Sequence, residues 1–252
     1  MFKPRSSLSQ NFLYNRQLIQ KLIRISSIDA GDVVIEIGAG AGAITKELQR
    51  TAKLVIALEI DERLIAALLK TADNNTVLFK LDALKFNLPV SPYKVFSNPP
   101  FAIEGRLLRK LLNAQQPPTE SHLVVRKEHA LRWAGVYRNT RFSSFYLPWF
   151  EFNIVHQFKS ADFKPQTKVK AVMLQITKRN QPAIAWEDKG GYQRFVKTGF
   201  GSGQSINHNL DQFFSKQTLI KITSEMGLSY KSKPADLKYS DWQNLFLAYR
   251  RK

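Results

Sequence analysis

Cysteine is absent from this 252-residue chain, which excludes disulfides, thiolate metal sites and cysteine nucleophiles. Histidine is scarce: His122, His129, His156 and His208 are too scattered for the ligand spacing of a zinc site, so no metal is expected. No stretch of eighteen apolar residues occurs, and no membrane-spanning segment is expected. The first ten residues are basic but lack the apolar core of a secretory signal. A cytoplasmic protein without membrane attachment is the expectation, with a monomer as the default.

Acidic residues are also few, 20 against 38 Lys and Arg, giving a formal charge of +18. Residues 1–98 contribute +4, residues 99–177 contribute +7 and residues 178–252 contribute +7, so the excess lies in the later two-thirds. Candidate polyanion contacts are Arg106, Arg109 and Lys110, then Arg132, Arg138 and Arg141, then Lys164 and Lys168, with Trp133, Tyr137 and Phe142 interleaved. Such a surface suits a nucleic acid, whose condensed counterions are released when Lys and Arg neutralise phosphates. A membrane surface fits less well, because no strongly basic amphipathic helix stands out.

Hydrophobic residues make up 44% of the chain, including 17 Phe, enough for one sizeable core and a small appended domain. Apolar runs at 33–37, 54–60, 76–81, 93–97, 123–125, 153–158 and 169–177 read as strands. Helical spacing predicts helices over 15–26, 43–50, 103–113, 127–134 and 143–150, and one carrying Leu64, Ile65 and Leu68 behind an Asp61 cap. Strands alternating with helices predict an α/β fold, a Rossmann-like seven-stranded sheet covered on both faces. Past Lys178 the pattern turns helical, at 190–199, 208–214, 216–227 and 239–250. Two domains are therefore expected, 1–180 and 181–252, the second a small C-terminal α-helical domain whose basic charge suits a nucleic acid.

Glu36-Ile-Gly-Ala-Gly-Ala-Gly42 lies between a predicted strand and a predicted helix. Its glycines let the backbone turn tightly and approach a ligand, and a following helix N-terminus favours anions. Gly38, Gly40 and Ala43 also satisfy the relaxed dinucleotide fingerprint, so the loop alone does not separate nicotinamide from other nucleoside cofactors. Glu59, at the end of the second strand, supplies a carboxylate that can accept two ribose hydroxyls, again without fixing the chemistry. Asp82 after the third strand could read an adenine amino group or simply cap a helix.

Asn98-Pro-Pro-Phe101 follows the fourth strand. Methylating an exocyclic amine needs no strong base, but its delocalised lone pair must be turned toward the methyl donor. The Asn98 amide oxygen and the Pro99 carbonyl can accept both N–H groups and stabilise the positive charge developing on nitrogen. The prolines hold the turn rigid, and Phe101 can stack on an extruded base.

With these residues in view, the chain resembles the ribosomal RNA adenine dimethyltransferase family, and within it the erythromycin-resistance (Erm) type. The resemblance runs through Ser9-Gln-Asn-Phe-Leu13, Glu36–Gly42, Glu59-Ile-Asp61, Asp82, Asn98–Phe101, Lys127-Glu128, Arg132-Trp-Ala-Gly135 and Phe163-Lys-Pro165, then into the basic helical tail. It implies S-adenosylmethionine as cofactor, held by Asn11, Leu13, Gly38, Gly40, Glu59, Ile60, Asp82, Ala83 and Asn98. It also implies that Asn98 and Pro99 orient N6 of the target adenine while Phe101 and Phe163 stack on the base. Many relatives have Ile-Pro-Tyr or Leu-Pro-Tyr after the Asn. The Pro-Pro-Phe form resembles a subset of Erm-type enzymes and favours 23S ribosomal RNA as partner, with macrolide–lincosamide–streptogramin B resistance as the outcome.

The alternatives are a small-subunit ribosomal RNA dimethyltransferase, a non-catalytic nucleic-acid-binding relative, a DNA adenine methyltransferase and a nicotinamide oxidoreductase. Intact Glu59, Asp82, Asn98 and Phe101 argue against an idle relative. A dehydrogenase has no use for the Asn98 turn, and no DNA target-recognition insertion is visible.

Overall fold

Short β-branched runs bounded by turns build the sheet of this computed structural model, which describes residues 11–201 and 205–251. Ser9 and Gln10 of the N-terminal motif lie outside the described residues. Val33–Ile37 (β2), Leu54–Glu59 (β3), Thr76–Lys80 (β4), Lys94–Ser97 (β5), Glu120–Arg126 (β6), Phe150–Gln157 (β7) and Ala171–Lys178 (β9) form one sheet in the order β4-β3-β2-β5-β6-β9-β7. The first five strands are parallel, and β9 returns antiparallel to β6. The seven predicted strands and the α/β class are thus the observed ones. A two-stranded ribbon escaped prediction: Phe12–Leu13 (β1) pairs antiparallel with Phe163–Lys164 (β8), opposing Phe12 to Lys164 and Leu13 to Phe163.

Central strands are buried on both faces, as their unbroken apolar runs require. Val34, Val55, Val95, Leu123 and Val124 are fully buried. Helix Arg16–Ile25 (α1) turns Ile19, Leu22 and Ile23 inward, and the Asn15 side chain caps it by accepting from the Leu18 N–H. Thr45–Leu48 (α2) is much shorter than the predicted 43–50. Glu62–Leu69 (α3) starts where expected, its Asp61 cap accepting from the Arg63 N–H. Glu104–Leu112 (α4) follows the Asn98 turn, and Lys127–Trp133 (α5) follows β6 directly.

The chain divides into two compact units. One holds residues up to Ala130 together with Phe152–Lys178; the other holds Leu131–Glu151 and the chain from Arg179 onward. The second division falls beside the expected boundary near 180, but residues 131–151 were expected in the first domain. Their helix, Arg141–Tyr146 (α6), packs on Lys189–Gly199 (α7) and Tyr239–Arg250 (α10). Aromatic contacts explain the assignment: Trp149 meets Tyr192 at 5.4 Å and Trp186 at 6.0 Å between ring centroids. The predicted helix over 143–150 also ends early, because Pro148 cannot continue it, and Phe150 opens a strand instead.

Ile206–Asn209 (α8) and Lys216–Glu225 (α9) complete the helices of the second unit, where Phe195 is ringed by Phe213, Phe214, Trp242 and Phe246. Among the described residues no helix is long and apolar enough to cross a membrane. A side chain at Gly199 would place its Cβ 2.3 Å from the Trp242 ring. Gly199→Ala should therefore overpack this core and cost ~1–3 kcal/mol. Denaturant unfolding is the measurement, and an unchanged midpoint would mean that the Trp242 ring yields freely.

Candidate active site

Chain order along the sheet reverses between β2 and β5. Ligands of such sheets bind in the crevice at the carboxyl ends beside that reversal. A pocket lies there, lined by Asn11, Phe12, Ile37, Gly38, Leu58, Glu59, Ile60, Leu81, Asp82, Ala83, Asn98, Pro100 and Ile103. The two central strands are tied at their ends, where the Ser97 hydroxyl donates to the Ile37 carbonyl at 2.7 Å.

The loop after β2 is built for close approach. Gly38 (φ +76°) and Gly40 (φ +59°) adopt the left-handed region that penalises side chains. A Cβ on Gly38 would sit 3.6 Å from the Asn98 carbonyl oxygen, and one on Gly40 would sit 3.0 Å from the Phe12 ring. Glu59, 4% exposed, gathers the surrounding backbone: Oε2 accepts from Gly40 N–H, and Oε1 accepts from the N–H groups of Ile60 and Asp61, all at 2.8 Å. Three backbone donors fix the carboxylate, and each oxygen has lone-pair capacity for a ribose hydroxyl. Ile60 beside it is 53% exposed, an apolar surface facing a lined pocket rather than a core. Asp82 lines the far side, with its Oδ1 accepting from the Leu84 N–H at 2.9 Å.

Asn98 stands at the end of β5. Its Nδ2 donates to the Asn11 carbonyl at 2.8 Å, which orients the amide and makes Oδ1 its acceptor end. Pro99 is buried, Pro100 lines the pocket, and Phe101 packs partly buried against the core.

The structure therefore gathers seven of the sequence-predicted cofactor residues in one lining: Asn11, Gly38, Glu59, Ile60, Asp82, Ala83 and Asn98. Gly40 acts from behind, through its bond to Glu59. Leu13 does not line the pocket; its side chain is 3% exposed, in the core beside the β1–β8 ribbon. Phe163 is 1% exposed and packs on Phe158 at 5.2 Å, so in this conformation it offers no ring face to a ligand. Phe12, Ile37, Leu58, Leu81, Pro100 and Ile103 were not anticipated as lining. Phe12 had a legible signal, since it sits between Asn11 and Leu13 in the same motif.

The predicted RNA contacts are surface residues within their own units. Arg106, Arg109, Lys164 and Lys168 are exposed in the first, where Lys110 is half-buried and donates to the Leu84 carbonyl. Arg132, Arg138 and Arg141 are exposed in the second, where Arg138 also pairs with Asp236 at 3.1 Å.

Beneath the glycine loop lies Glu36, 1% exposed, with Thr45 beside it and neither carboxylate oxygen in a well-formed hydrogen bond among the described residues. Burial, reinforced by the Glu59 charge and only partly offset by Thr45, pushes its pKa up to about 8.

A buried carboxylate at the second strand end, a glycine loop and an oriented Asn-Pro-Pro turn at the reversal of a Rossmann-like sheet define a nucleoside-cofactor methyltransferase. The chain matches the model of the family "Ribosomal RNA adenine dimethylase" over residues 1–251, and it belongs to that family. It is 30% identical to the mycinamicin-resistance protein MyrB of Micromonospora griseorubida, over 98% of this chain and 79% of that protein. It is 29% identical to the ribosomal RNA small subunit methyltransferase A of Mycoplasmopsis pulmonis, over 98% of this chain and all of that one. The fold is that of the 23S rRNA methyltransferase ErmE, with a TM-score of 0.83 at 24% identity, over 95% of this chain and all of that one. The cofactor of the family is S-adenosylmethionine, and the residues present fit it: side-chain-free loop backbone, a fixed carboxylate for the ribose and an exposed isoleucine for the adenine.

Glu59→Ala and Asp82→Ala should each weaken S-adenosylmethionine binding while leaving RNA affinity intact. Calorimetric titration decides, and unchanged cofactor affinity in both would remove them from the site. For Glu36, the unfolded chain releases the proton near 4.5 whereas the fold holds it to about 8. The stability this proton supplies is complete below about 4.5 and is lost as pH rises toward 8. Glu36→Gln should flatten that loss, read as unfolding midpoints from pH 5 to 9. Parallel wild-type and mutant curves would count against it.

Proposed function

We propose that the enzyme methylates N6 of one adenine in 23S ribosomal RNA and thereby confers resistance to macrolide, lincosamide and streptogramin B antibiotics. The observation that carries this reading is the Asn98–Phe101 turn, whose amide is oriented from behind by Asn11 while facing the nucleoside pocket. When bound, S-adenosylmethionine supplies an electrophilic methyl group on a sulfonium. The chain's own residues do the remaining work. Asn98 Oδ1 and the Pro99 carbonyl accept hydrogen bonds from the two N6–H groups and turn the nitrogen lone pair out of conjugation. Both acceptors strengthen as positive charge develops on N6, which is the condition for lowering a barrier rather than merely binding. The charge on nitrogen acidifies its proton, which passes to solvent water, so no buried general base is required. Phe101 supplies a stacking surface for the extruded base, and Phe163 would join it only if the base displaces its present neighbours.

The exposed basic residues of both units support a phosphate backbone as partner, and the exposed Tyr137 beside Arg138 suits an unpaired base. The 23S target is favoured by Pro-Pro-Phe after Asn98. A small-subunit target is the competing reading, given full-length similarity to small-subunit methyltransferase A.

The test is incubation with protein-free 23S and 16S RNA and methyl-labelled cofactor, followed by mapping of the modified nucleotide. Label on one 23S adenine is expected; label confined to 16S RNA would transfer the enzyme to the other branch. On the labelled RNA, Asn98→Ala should lower the single-turnover rate more than RNA affinity, and Phe101→Ala should slow transfer while Phe101→Tyr preserves it. Loss of one stacking face is worth ~1–3 kcal/mol. Wild-type rates for both Asn98→Ala and Phe101→Ala would defeat the mechanism.

A further inference from the structure

Glu104 opens α4 three residues after the Asn98 turn closes and is 1% exposed. Its Oε2 accepts from the Arg126 backbone N–H at 3.0 Å, and its Oε1 accepts from Arg126 Nε at 2.7 Å and touches His129 Nδ1. Arg126, the last residue of β6, reaches onward: its Nη2 donates to the Phe101 carbonyl at 3.3 Å. The turn is thus held at both ends, Asn98 by Asn11 and Phe101 by Arg126.

This arrangement is costly for the fold. The Glu104 carboxylate has been taken out of water, a loss that its partner Arg126, 32% exposed at the side chain, must offset. Its yield is geometric. Lone pairs aimed at N6 must hold their positions closely, since a 1 Å misplacement remote from the chemistry can cost a hundredfold in rate. Prolines restrict the φ angles of the turn but do not fix where it sits over the sheet. A planar guanidinium can bond the Glu104 carboxylate with Nε and the Phe101 carbonyl with Nη2 at once; a lysine ammonium cannot reproduce that fork.

We propose that Glu104 and Arg126 are positioning residues for methyl transfer, clamping the Phe101 end of the turn so that Asn98 and Pro99 present their acceptors to the target amine. The proposal rests on reading that turn as the adenine site, and neither residue touches the reacting atoms.

The experiment uses the full chain with Arg126→Lys and Arg126→Gln, and Glu104→Gln alongside. Cofactor affinity by calorimetry, RNA affinity, unfolding midpoint and single-turnover methylation rate are measured for each. The expected result is a rate at saturating RNA and cofactor that falls by about tenfold to a hundredfold in both Arg126 variants, with both affinities unchanged. Arg126→Lys keeps the charge and chain length, so it remains informative if Glu104→Gln fails to fold. A wild-type rate in folded Arg126→Lys and Arg126→Gln would overturn the proposal. So would a rate loss matched by equal loss of cofactor and RNA affinity, which marks general loosening. If the wild-type enzyme labels no ribosomal RNA, the proposed function itself has failed; if it does and the Arg126 variants keep pace, only the clamp has.

Discussion

The site depends on the reversal of strand order between β2 and β5. Strands on one side of that line continue toward β3 and β4, and those on the other toward β6, so the loops leaving β2 and β5 diverge and open a crevice. Everything chemical hangs from the strand ends bordering it. Glu59 converts the crevice into a shaped pocket by binding backbone from two loops at once, the glycine loop through Gly40 and its own turn through Ile60 and Asp61. The carboxylate that anchors both loops also lines the pocket, so pocket shape and loop geometry share one side chain.

Two forms of chemistry meet in that pocket, and Asn98 stands where they join. On one side the lining offers fixed charge and apolar surface, at Glu59, Ile60 and Asp82. In the proposed reaction the target amine is met by neutral carbonyls, at Asn98 and Pro99. Neutral carbonyls can hydrogen-bond an uncharged amine and bond it more strongly as positive charge develops on nitrogen. Glu36, the one strongly perturbed carboxyl under the loop, is buried away from this contact and holds its proton near neutrality.

Much of this was legible in the sequence because it is local. Glu59, Asp82 and Asn98 each sit one or two positions past the last apolar side chain of a strand, so periodicity marked them as strand-end residues, while their roles came from what the resemblance implies. The seven strands were likewise marked by runs of apolar residues. Contacts between distant segments were not legible. The β1–β8 ribbon joins two-residue strands with no periodicity to detect, and it decides that Leu13 and Phe163 face the core. The excursion of residues 131–151 into the second unit depends on Trp149 meeting Trp186 and Tyr192, partners that no local pattern names. Glu104 was not singled out in the sequence; only the pairing of β6 beside β5 brings Arg126 to it.

The ribbon has a consequence for biosynthesis. Asn11 and Phe12 form one wall of the cofactor pocket, yet their segment is held by pairing with Phe163 and Lys164, near the end of the first unit. Contacts this distant along the chain close late, since their loop entropy must be met before any pairing rewards it. During translation the glycine loop, Glu59 and Asn98 all emerge well before the strand that secures their N-terminal wall. Chain order alone thus separates the two halves of the pocket: the wall at Asn11 and Phe12 can be paired only once Phe163 and Lys164 exist, some sixty residues after Asn98.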